Sequence, residues 1–214
     1  MSDQSAPLPP QPLPLADPAP LGLGGFALTT FVLSVHNANW APDLIWVGLA
    51  LFYGGLAQFI AGQHEFRNKN VFGATAFSTY GAFWMSLAAF VLMDLAGWIP
   101  ATLNVHDALA WFMAAFAVFN SYMLLFSMRT SKAVFAVFLT LEATLIIYFI
   151  GQFLLGSGHT FGTDLIHVSG YVGVATAAAA WYASAAGVIN GMSPQPVLPV
   201  GTPLWPATAA RTVR

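Results

Sequence analysis

The chain has 214 residues, of which 57% are hydrophobic and only 7% charged, with a mean hydropathy of +0.70. Soluble domains carry roughly a quarter charged residues, so this composition excludes a water-soluble domain and defines an all-α integral membrane protein. A net charge of −2 offers no basic face to nucleic acid, and the absence of cysteine excludes disulfides, thiolate metal sites and cysteine nucleophiles.

Residues 1–16 begin a proline-rich run, "SAPLPPQPLPLADP", that reads as an extended cytoplasmic tail. It has no Lys or Arg and no apolar core of the kind a signal peptide needs, so targeting is expected to come from the first span. A second proline-rich tail occupies residues 193–214 and contains "SPQPVLPVGTPLWP". Between them, residues 17–192 form the membrane domain.

A bilayer core about 30 Å thick needs about 20 apolar helical residues per span. Six stretches qualify: Leu21–Asn37, Leu44–Gly62, Val71–Met93, Leu109–Met128, Ala133–Leu155 and Leu165–Ile189. Arg67, Lys69, Arg129, Lys132, Arg211 and Arg214 all fall on one side of this arrangement, whereas Asp43, Asp94, Asp107, His159 and Asp164 fall on the other. The bias of Lys and Arg toward cytoplasmic loops predicts that both termini are cytoplasmic.

The first span opens on Asp17, read as a helix cap, and Pro18, placed at the first helical position where no N–H is needed. Gly22, Phe26, Thr29, Leu33 and His36 then recur on one face, either lining a passage or packing a helix. In the second span, "FYGGLAQFIAG" aligns Gly54 or Gly55, Gln58 and Gly62. A mid-membrane Gln needs partners, on a neighbouring helix or in a pore. In the third, "ATAFSTYGAFW" sets Gly73, Phe77, Tyr80 and Trp84 on one face, with Ser78 and Thr79 beside it. Thr29, Gln58, Ser78 and Thr79 are the candidate substrate-binding groups.

The fourth span carries Asn120 and Ser121 near its middle, expected to hydrogen-bond another helix. The fifth carries Glu142, the one acid deep within a span, on the face of Phe135, Leu139 and Ile146. It is a proton-coupling candidate or, protonated, a donor to another helix. Small residues throughout the spans suit close helix packing. Haem would need facing histidines, and only His36 and His167 come near that; a retinal Schiff base would need a lysine within a span, and Lys69 and Lys132 both lie outside. No cofactor and no metal are expected.

The stretches "DPAPLGLGGF", "HNANW" and "FYGGLAQFIAGQHEFRNKNVFGATAFSTYGAFW", with the six-span spacing, resemble the acetate uptake transporter family (the SatP/YaaH type of acetate and succinate carriers) across residues 17–190. The resemblance implies an inner (plasma) membrane protein, a ring-shaped homo-hexamer with a substrate path in each protomer, and transport of acetate and related carboxylates. It places a hydrophobic constriction at Phe26, Tyr80 and Leu139, with Leu141 as the alternative to Leu139. Asp17 stands where the family has Asn, and Glu142 is a further departure. Transport with a proton is the expected mechanism; a passive small-anion channel and a haem-binding redox subunit are the alternatives. Weak donors without a fixed cation in the spans fit conduction of a small carboxylate.

Overall fold

The structure is a computed structural model, and it describes residues 16–206. Six helices are long and apolar enough to cross a membrane: α1 Ala19–Asn37, α2 Ile45–Arg67, α3 Val71–Leu95, α4 Val105–Ser127, α5 Lys132–Gly156 and α6 Phe161–Gly191. No strand occurs among the described residues. Every expected span is present, and most extend a few residues beyond the expected ends because polar caps lie outside the apolar core.

The caps explain where the helices begin. Asn70, Asn104 and Ser131 each accept a backbone N–H from the first turn of α3, α4 and α5. Asp17 caps α1 by accepting the Ala19 N–H at 2.9 Å. Pro18 is displaced from its expected place: it is the residue just before the helix, and its carbonyl accepts the first helical bond, from Gly22, at 3.2 Å. Its φ of −80° is already helical, so Pro20 becomes the proline inside the first turn.

α1 packs against α6, α6 against α5, and α5 against α4, while α2 and α3 form a hairpin on the other flank of α1. Small residues set these close approaches. A Cβ at Gly25 would stand 2.6 Å from the Tyr53 carbonyl, and one at Gly81 2.6 Å from the Phe59 nitrogen. α3 and α4 approach least and meet through rings instead: Phe83 stacks on Phe112 at 5.4 Å and meets Phe116 edge-on at 4.7 Å.

α2 is not a uniform helix, for Phe52–Ala57 winds as a π-helical segment. Gly54 and Gly55 lie in it, and Gly54 abuts the Thr29 side chain. Such segments frequently interrupt α-helices at functional sites. At the α2–α3 turn Glu65 is fully buried and accepts from Asn68 (3.1 Å) and Asn70 (3.0 Å), which secures the cap of α3.

As far as it is described, the second proline-rich tail contains no helix or strand, is exposed at most positions, and is tethered to the bundle. Asn190 accepts the N–H groups of Val197 (2.7 Å) and Leu198 (2.9 Å), and Tyr182 donates to the Pro199 carbonyl. Further on, Val200 accepts the Ala133 N–H, Trp205 donates its N–H to Met128, and Arg129 lies 4.5 Å over the Trp205 ring. Residues 1–15 of the first tail, and Arg211 and Arg214, lie outside the described residues.

Candidate transport pathway

Two small cavities adjoin one another inside the bundle. The one toward the Asn37 end of α1, which is the outer one in the expected topology, is about 50 Å³ and is lined there by Thr30, Ser34 and Asn37, with Trp84, Thr144 and Tyr148 opposite. The inner, about 20 Å³, is lined by Leu23, Gln58, Phe77 and Phe138 among others. Phe26, Tyr80 and Leu141 line both cavities and so form the wall between them. A third cavity of about 160 Å³ shares Leu23, Ala76, Phe77 and Phe138 with the inner one and reaches Thr130 and Ser131, in the turn that carries Arg129.

The wall is aromatic for a local reason. Gly22, one turn before Phe26, lets α1 settle against α3, where the Phe77 ring fills the place of a Gly22 side chain. Phe26 then meets Tyr80 edge-on at 5.8 Å, and Tyr80 is enclosed by Phe83, Phe119 and Phe138.

Among the described residues, four buried side-chain polar atoms have no hydrogen-bond partner: Thr29 Oγ1, Thr30 Oγ1, Gln58 Oε1 and Trp84 Nε1. Three of these residues line the cavities, Thr30 and Trp84 the outer and Gln58 the inner. An unpaired buried polar group costs about 1–3 kcal/mol. Folded proteins keep such groups where a solvent or ligand molecule can satisfy them.

The expected site residues divide. Phe26, Tyr80 and Gln58 are at the cavities, and of the two candidate leucines it is Leu141 that lies beside them. Leu139 is 49% exposed on the outer surface of α5, because two residues turn a helix about 200° and so to its far side. Thr29 is buried against Gly54, and its neighbour Thr30 faces the outer cavity. Ser78 accepts from Gln63 at 3.0 Å in the α2–α3 contact, and Thr79 is half-buried and lines none of these cavities.

Glu142 lines neither cavity. It accepts from Asn120 Nδ2 at 2.6 Å and from Ser121 Oγ at 2.7 Å, bridging α4 and α5 behind Tyr80. Asn120 is fully buried; it also donates to the Phe138 carbonyl at 3.0 Å and accepts the Tyr80 hydroxyl at 2.6 Å. The interhelical role expected of Asn120 and Ser121 is therefore present, but its link to Tyr80 has no signal in the sequence beyond a polar residue in an apolar span. Of the histidines, His36 lies 3.4 Å from Asp43, and His106 is bonded to Gln152 at 2.7 Å.

A six-span helical membrane protein with cavities in series across one wall has the architecture of a transporter or channel protomer. The chain belongs to the GPR1/FUN34/yaaH family, whose description matches residues 3–201. It is 36% identical over 188 residues to the succinate-acetate/proton symporter SatP of Escherichia coli K12, covering 87% of this chain and 96% of that one. It is 34% identical over 206 residues to acetate permease A of Emericella nidulans, covering 90% of this chain and 68% of that one. Among solved structures it is similar to the bacterial acetate channel SatP, with a TM-score of 0.81 and 34% identity over 88% of this chain and all of that one.

Proposed function

We propose that this protein moves acetate and related short-chain carboxylates, succinate among them, across the inner membrane together with protons. The path runs within each protomer through the outer cavity, past Phe26, Tyr80 and Leu141, and on through the inner cavities. The observation that carries this reading is that one trio of apolar and aromatic side chains separates two cavities, each holding a buried polar atom without a protein partner. Thr30 and Trp84 on one side and Gln58 on the other supply weak contacts, which conduction needs in place of one tight site. The relatives' names, which specify acetate and succinate, support the substrate class.

In this reading both termini are cytoplasmic, and the protomers assemble as a hexameric ring embedded in lipid. The test is uptake of labelled acetate by proteoliposomes of purified protein, set against protein-free vesicles. Protein-dependent uptake that short carboxylates compete away is expected, and none at all would end the proposal. The name of the structural relative favours a second reading, a passive anion channel. An inside-alkaline pH gradient separates the two: accumulation supports movement with protons, whereas equilibration indifferent to the gradient supports the channel.

A further inference from the structure

Tyr80 has one hydroxyl proton, and the structure shows where it goes. It is donated to Asn120 Oδ1 at 2.6 Å. The amide cannot be turned over, because its nitrogen lies 3.0 Å from the Phe138 carbonyl, which only accepts. The second N–H of that nitrogen is taken by Glu142 Oε2 at 2.6 Å. Asn120 is fully buried, so solvent does not compete for it. The titratable side chains acting on Tyr80 are Glu142 from α5 and Tyr122 from α4, and α1 meets its ring with Phe26, which does not titrate.

The wall between the cavities is thus left without a hydrogen-bond donor. It presents the Phe26 and Tyr80 rings and the Leu141 methyls. A carboxylate that has shed its water meets no hydrogen-bond donor there, only ring carbons and methyl groups. An ionised group without partners in such a place is far more costly than a neutral one.

We propose that Asn120, held in place by Glu142, is a positioning residue that determines specificity: by occupying the Tyr80 proton it makes the wall pass the undissociated acid and hold back the anion. The inference rests on the transport reading above. Each acid molecule then carries its own proton, so acetate and a proton cross together without net charge. Glu142 orients Asn120 and relays nothing.

The experiment uses full-length protein in proteoliposomes and records labelled acetate and proton entry together, at membrane potentials clamped with potassium and valinomycin. One proton per acetate is expected, at a rate that does not follow the potential; passage of the anion would be skewed about 50-fold per 100 mV at equilibrium. Asn120→Leu releases the Tyr80 hydroxyl, and its acetate entry is expected to become dependent on potential, with fewer protons per acetate. Glu142→Gln can still accept from Asn120 and is expected to keep the ratio at one, whatever its rate. Wild-type entry that follows the potential overturns the inference, as does an Asn120→Leu protein that transports without any dependence on potential. So does loss of proton entry in Glu142→Gln while acetate entry persists. If Asn120→Leu does not fold, the wild-type and Glu142→Gln measurements still decide. Absence of protein-dependent acetate entry overturns the transport reading instead.

Discussion

Phe26 of α1 and Tyr80 of α3 stand edge to face, 5.8 Å apart and inclined at 62°, and this one pair borders the cavities on both sides. Leu141 of α5 completes the wall. Replacing Leu141 or Phe26 by Ala is expected to join the two cavities and admit larger acids. The check is competition by lactate against labelled acetate, which should strengthen in both variants and stay unchanged in Leu139→Ala. Truncating a buried Leu or Phe costs about 2–5 kcal/mol, so each variant is to be assayed per amount of folded protein.

Helix approach in this bundle depends on particular glycines. Gly25→Ala puts a methyl against the Tyr53 carbonyl, a backbone atom that cannot swing aside, and should cost about 1–3 kcal/mol. Gly48 has open space around it, so Gly48→Ala should be neutral or should gain up to about 1 kcal/mol of helix propensity. Thermal unfolding of the detergent-solubilised protein separates the two: a lower midpoint for the first and an equal or higher one for the second.

The tethered tail makes its own prediction. Asn190→Ala removes the acceptor of two tail N–H groups and a donor to the Leu198 carbonyl, each bond worth about 1 kcal/mol. Residues 193–206 should then be cut faster by a protease in limited digestion, while the six helices stay intact. Equal cutting rates in variant and wild type would show that the contacts at Ala133, Met128 and Arg129 hold the tail unaided.

Orientation is open to a clean labelling test because the chain contains no cysteine. Arg67 and His159 are exposed at opposite ends of the bundle. In intact cells, His159→Cys is expected to react with a membrane-impermeant maleimide, and Arg67→Cys only after permeabilisation. The reverse pattern would place the termini outside.

The helices were legible in the sequence because a membrane span has only to be long and apolar, with polar residues at its ends to satisfy free backbone groups. Asn70, Asn104 and Ser131 do this, and the apolar runs between them are unmistakable. Facing was harder to read. α5 carries large apolar residues on every side, so in lipid their pattern does not separate the side toward the path from the side away from it, and Leu139 and Leu141 look equivalent until the helix is docked. The same holds for Thr29 and Thr30, one residue and about 100° apart on α1.

By itself the sequence determined the solvent of this protein, the number of its spans and the segments bearing its most distinctive residues, because hydropathy and length act locally along the chain. Only the tertiary structure decided which side of each helix meets the path, that the π-helical segment of α2 brings Gly54 against Thr29, and that Tyr80, Asn120 and Glu142 form one connected group. Those relationships join residues 22 to 62 positions apart, through helix rotations that neighbouring helices fix by packing, and no local pattern in the chain encodes them.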